Sequence, residues 1–236
     1  MSAPTLRNAV ESHGTASTSI VVTTPTNVAG DLLVVAIGRA YPQNGSLTTL
    51  AGWTKQTSAD SSQVGAGAIG IMEVYTKISN GSEGASWTWA DSVGDAYHAI
   101  AAAYSGCDQT TPVDTGGSAQ SNNANGTSTT ITVTGVTTTH PNATILTFTR
   151  HANNSALTAC ASPSMTKELS TYYASVGTGA TISLCDFSQA GAGATGSLNS
   201  TIGTTAKSIA STLALNPVLT TPQFWTDFIK CAEVDS

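Results

Sequence analysis

Apolar and polar residues alternate with a period of two through most of this chain, and that pattern admits few folds. In GIMEVYTKI, Met72, Val74, Thr76 and Ile78 fall on one face, and Ile71, Glu73, Tyr75 and Lys77 on the other. In TSTTITVTGV, Ile131 and Val133 point one way and Thr130, Thr132 and Thr134 the other. Leu146 and Phe148 share a face, as do Trp87 and Trp89. Alternation of this kind marks half-buried strands. Segment 31–40, DLLVVAIGRA, is instead apolar nearly throughout, as expected of a central strand covered on both faces. Asn44-Gly45, Asn80-Gly81 and Asn125-Gly126 supply tight-turn signals between the runs. No alternation of strand and helix is visible, so a doubly wound fold is disfavoured. Segment 95–106 fits either period, since Tyr97, Ile100, Ala101 and Tyr104 make a helical stripe while His98, Ile100, Ala102 and Tyr104 alternate; it is read as a strand.

The expectation is an all-β, antiparallel β-sandwich over residues 1–217, its last strand in SIASTLALNP, followed by a tail, 218–236. In the tail Thr221 caps and Pro222 opens a short amphipathic helix. Its stripe, Phe224, Trp225, Phe228 and Ile229, is the candidate surface for docking on a partner.

Two stretches, GAGAIG (65–70) and GAGATG (191–196), spell the glycine pattern of a phosphate-binding loop. That loop works only where a strand runs into glycines and then into a helix whose N-terminus holds the phosphate. Neither stretch leads into a helical pattern, so the glycines are assigned to bends and close approaches of backbone, and no cofactor is expected. No local signature of a nucleophile, metalloprotease, Walker or EF-hand site occurs. His13, His98, His140 and His151 lie far apart in sequence, and Asp91, Asp95 and His98 are read as structural. Asp108 and Asp114 are assigned to turn capping over calcium binding. Trp87 and Trp89 on one strand face are read first as core residues, burial being the commoner fate of large rings, with a sugar-stacking pair as the alternative. No metal site is expected and the chain is not expected to be an enzyme.

Only 9% of the 236 residues are charged and the net charge is −6, with 8 Lys and Arg and no basic patch, which disfavours a nucleic-acid partner. No apolar run reaches the length of a membrane-spanning helix. The N-terminal MSAPTLRNAVESHG has no signal-peptide core, which points to synthesis in a cytoplasm. Cys107, Cys160, Cys185 and Cys231 allow three pairings between which the sequence does not choose, and cytoplasmic synthesis favours four reduced thiols.

Four stretches together, NVAGDLLVVAIG (27–38), AGWTKQ (51–56), EVYTKISNGSEGASWTWA (73–90) and AAYSGCDQTTPVDT (102–115), resemble a β-sandwich module of tailed-phage virion structural proteins and of large bacterial surface proteins. The resemblance spans roughly residues 4 to 217, including TITVTGVTTTHPNATILTF and ASTLALNP. It implies a jelly-roll-like sandwich and transfers no catalytic residue. It implies a virion structural protein, foremost a capsid decoration protein of the cement or head-fibre kind. Such a protein is made in the host cytoplasm, forms a homo-oligomer and packs on major capsid or tail subunits. The alternative is a tail-associated receptor- or carbohydrate-binding module.

Overall fold

Why the chain builds layers follows from the run at 31–40, which has almost no polar face to give to water. The computed structural model describes residues 1–39, 47–60, 70–123, 128–155, 157–160, 165–174 and 179–219. Among these residues there is no helix. The first half holds β1 (Thr5–Thr23), β2 (Leu32–Arg39), β3 (Thr54–Asp60), β4 (Ile71–Ile78) and β5 (Ser86–Ser105). The second half holds β6 (Val113–Asn123), β7 (Thr130–Ile131), β8 (Thr137–Thr138), β9 (Ala143–His151), β10 (Leu157–Ala159), β11 (Thr166–Tyr173), β12 (Ala180–Gln189), β13 (Gly193–Ala194), β14 (Ser200–Ile202) and β15 (Ser208–Leu215). All the pairings are antiparallel.

Two five-stranded sheets carry the sandwich, ordered β1-β5-β2-β4-β3 and β11-β12-β9-β15-β6. Each is drawn from one half of the chain. Numbered within its own half, each follows one order: first, fifth, second, fourth, third. The second half therefore repeats the topology of the first. The repeat reaches single positions: Gly30 (φ 87°) and Asn142 (φ 59°) both take a left-handed turn just before the central strand of their half. The halves are tied where they end, by Asp108 N–H to the Asn216 carbonyl and Val218 N–H to the Gly106 carbonyl, both 3.0 Å.

The inner layer joins Leu32, Val34, Ala36, Met72, Val74, Ile100 and Tyr104 of the first sheet to Leu146, Phe148, Ile182, Leu184, Ile209 and Leu213 of the second. Burying each such side chain contributes roughly 1.5–3 kcal/mol. The alternate residues of β2, Leu33, Val35 and Ile37, face outward and are buried too. They are covered because the β1–β5 ribbon folds back over its own sheet. Thr23 N–H donates to Ser12 Oγ at 2.8 Å, although a straight strand would hold these residues about 36 Å apart. Tyr97, whose strand partner is Gly14, donates its hydroxyl to the Val21 carbonyl at 3.0 Å. Register shifts between Gly14 and Ser19 make the bend. The folded-back half brings Ile20, Val22, Trp87 and Trp89 down on the outer face. The second half repeats this device: β7 pairs with β14, and Ile131, Val133, Leu198 and Ile202 cover Ala143, Ile145, Ala210 and Ala214.

The expected sandwich, a doubly covered strand within 31–40 (Leu32–Arg39), the strand reading of 95–106 (within Ser86–Ser105) and the closing strand (Ser208–Leu215) are all present. The tail helix with Phe224, Trp225, Phe228 and Ile229 lies outside the described residues.

The expectation of four reduced thiols needs correction. Cys160 and Cys185 form a disulfide, with Cα atoms 6.1 Å apart. Cys185 sits on the covered outer face of β12, and Cys160, just past β10, packs against that same cluster. Folding thus brings together two residues that spacing alone leaves unmatched. Cys107 is a free, buried thiol whose pKa burial pushes up to about 12. Cys231 lies outside the described residues. The closed loop spans 25 residues, for which chain entropy gives about 3.5 kcal/mol. Cys160→Ser should therefore lower the urea-unfolding free energy by about that amount. Reductant should do the same to the wild type and nothing to the variant, and a non-reduced peptide map should contain the Cys160–Cys185 linkage.

Candidate functional site

The glycine-rich stretches resolve first. In GAGATG, Gly193 (φ 137°) and Gly196 (φ 72°) carry the chain through β13 toward β14, with no helix after them. A Cβ on Gly135 would lie 1.7 Å from the Gly196 carbonyl oxygen, so glycine is required there by backbone contact. Of GAGAIG only Gly70 is described, with φ 84° at the entry to β4.

Trp87 and Trp89 do not form a sugar platform. They are 9% and 0% exposed and stand edge-on to Trp53, with ring centroids 5.0 and 5.2 Å away. The ribbon fold-back turns both rings onto Leu33, Val35 and Ile37, and Trp87 Nε1 donates to Glu83 (3.1 Å). Asp108 accepts from the Thr110 and Thr111 amides at 2.8 and 2.7 Å, and these bonds hold its carboxyl below the usual range. Asp114 accepts from the amide and hydroxyl of Thr139 at 2.8 and 2.9 Å. Both acids cap turns. Asp91 and His98 are not brought together: Asp91 accepts from Arg39 Nη1 at 2.9 Å, while His98 turns to Glu11.

Among the described residues, three clusters of buried and half-buried ionisable groups went unseen in the sequence. On the outer face of the first sheet, Arg39 lies against Asp91 and Glu73, and Glu73 also receives Lys55 and the Tyr75 hydroxyl. At the end of the inner layer where β2 and β9 finish, His98 Nε2 lies 2.8 Å from Thr171 Oγ1 and 3.1 Å from Glu11 Oε2, and Nδ1 faces the Ala180 carbonyl at 3.3 Å. Burial pulls His98 down to about 4, outweighing the Glu11 carboxylate. Burial pushes Glu11 up, but its bonds to His13 and His98 bring it below the usual range. His13 stacks on Tyr173 at 4.1 Å. Arg150, 2% exposed, crosses the inner layer beside this group.

The third cluster lies near the opposite end of the strands. Tyr104 donates to Asp186 at 2.8 Å, and Asp186 is paired with Glu168. Burial raises both acids, and the Asp186 charge raises Glu168 further. These acids line a cleft of about 440 Å³ with Thr5, Arg7, Thr144 and Ser188. A wider cleft of about 650 Å³ occupies the equivalent place in the first half, lined by Thr54, Gln56, Thr76, Lys77, Gln109 and Asp114. Among the described residues no group of three or more metal-ligating side chains occurs.

Family models, curated proteins and solved structures offer no match to this chain.

Two pH effects follow. His98 is depressed from an ordinary value near 6.5, so the stability it contributes is complete above that pH and is lost as pH falls toward 4. The loss should reach on the order of 3 kcal/mol, and His98→Asn should flatten this limb of the stability–pH curve measured by urea unfolding. Glu168 and Asp186 are raised, so their contribution is complete at acid pH and is lost as pH rises through their folded values. Glu168→Gln should raise the melting temperature at pH 7 and give no gain at acid pH, where the wild-type carboxyl already carries its proton.

Proposed function

We propose that this protein is a non-catalytic structural subunit of a phage virion, foremost a capsid decoration protein that packs as an oligomer on other virion subunits. The carrying observation is the doubly covered sandwich, whose sheets bury both faces and whose main ionisable clusters are held largely inside it. Such a block is rigid. Its surface is rich in Ser and Thr, short side chains that lose little entropy when a neighbour is packed against them. The resemblance of 27–38, 51–56, 73–90 and 102–115 to virion sandwich modules supplies the particle. The Cys160–Cys185 bond fits a protein that ends on an exposed, oxidising surface.

A tail-associated carbohydrate-binding role has a different support from the one the tryptophans offered. The wider cleft presents Thr54, Gln56, Thr76, Gln109 and Thr110, whose hydroxyls and amides suit sugar hydroxyls. Labelled antibody against the protein, applied to particles, should decorate the head, and particles assembled without it should lose mass there and break at lower osmotic stress. Labelling at the tail tip, with glycan-array binding that Gln56→Ala and Gln109→Ala abolish, would establish the second role instead. A chain ended after Leu219 should keep its melting temperature within about 2 °C and bind particles less well; unchanged binding would remove residues 220–236 as the docking element.

A further inference from the structure

Arg150 presents a physical problem that the described residues leave unsolved. The chain has only 8 Lys and Arg, yet it places this one between the sheets at 2% exposure. Its neighbours across the strands are Ile209 and Ile182. Its side chain lies flat over Gly38 of the facing sheet, where a Cβ would be 2.3 Å from Arg150 Cδ and 2.7 Å from Nε. Neither Nε nor Nη1 meets a hydrogen-bond acceptor. A guanidinium does not escape such a place by losing its proton at ordinary pH, and an uncompensated buried charge costs several kcal/mol. Burial alone lowers this one, to about 10, which still leaves it charged at neutral pH.

The surroundings do not resolve the charge. Glu11, the acid of this group, is engaged by His98, His13 and Thr171. The imidazole of His98 repels Arg150 when protonated. Arg150 thus ends beside His98, His13, Thr171 and the Glu11 carboxylate at one end of the inner layer, where these four groups bond to one another or to backbone and its own Nε and Nη1 are left without an acceptor. Gly38 is what lets the guanidinium reach this end, because any larger residue would occupy its path.

We propose that Arg150 is the anchor of an oxyanion site at this end of the sandwich, taking a small free anion of the carboxylate, sulfate or phosphate class. The planar fork of the guanidinium matches the paired oxygens that these anions share. The site belongs to the fold and does not depend on the virion role.

Thermal melts of the full chain test it, at constant ionic strength made up with sodium chloride, against rising sodium phosphate, sodium sulfate or sodium acetate. The wild type should gain about 5 °C at a hundredfold excess over the dissociation constant. Arg150→Met, which replaces the charge by an apolar chain of similar length, should melt above the wild type without oxyanion and gain nothing from it, so that the two curves cross. The anion with the steepest response identifies the source, acetate marking a carboxylate and phosphate or sulfate an inorganic ligand. Parallel curves would overturn the proposal. Should Arg150→Met not fold, the Nε–H resonance of Arg150 in the wild type decides: it shifts and saturates on titration with the oxyanion, or it stays fixed and the site does not exist. A crystal structure with a carboxylate of this same chain seated on Arg150 would also overturn it.

Discussion

The architecture depends on one constraint: its central strands are buried on both faces, so each sheet must be covered twice. β2 is buried along its whole length, and so are β9 and β15. Packing the sheets on each other satisfies only the inner faces. The outer faces are covered by chain that leaves the sheet, bends and returns over it, as the Ser12–Thr23 and Tyr97–Val21 contacts record. No helix is needed for this among the described residues. The same solution appears in both halves, so the constraint acts on the five-stranded unit and not on the protein as a whole.

Covering a sheet twice traps polar groups, and the halves answer this differently. On the outer face of the first sheet, buried Arg39 and the half-exposed Lys55 are matched by the buried Asp91 and Glu73, two charges of each sign. At the facing positions of the inner layer, Gly38 and Arg150 occupy equivalent places in the repeat, one with no side chain and the other with a long one. The pair shows how a duplicated fold acquires asymmetry. One copy yields volume and the other fills it, so Gly38 has no room for a side chain while Arg150 keeps its length. Tyr104 and Asp186 make a second such link between the halves.

Much of the fold could be read from residue order because the physics is local. The alternation at 71–78 and 143–151 sets which residues face inward, and the apolar run at 31–40 announces double burial. Gly81 (φ 81°) occupies the turn that Asn80-Gly81 predicts. What escaped notice depends on distance along the chain. The repeat is invisible because equivalent positions, Leu32 and Thr144, Val34 and Leu146, Ala36 and Phe148, share a facing direction and not a residue type. The disulfide is set by a bend after β10. The sugar-stacking alternative for the tryptophan pair stayed open because a strand's period says which face a ring takes but not that the ribbon will fold that face inward.

The ionisable groups were the least legible, since each cluster is assembled from strands that are remote in sequence. His98 meets Glu11 and Thr171 across separations of 87 and 73 residues, and Tyr104 meets Asp186 across 82. No spacing rule reaches that far. Yet their character follows from composition once the layers are known. With few charges, the chain has little sign-specific field to attract or reject partners at long range. Recognition by such a surface then rests on shape, on short polar side chains and on the few places where a charge is held in reserve. A rigid, sparsely charged block incurs little cost in desolvated charge or frozen side chains when another surface is packed against it.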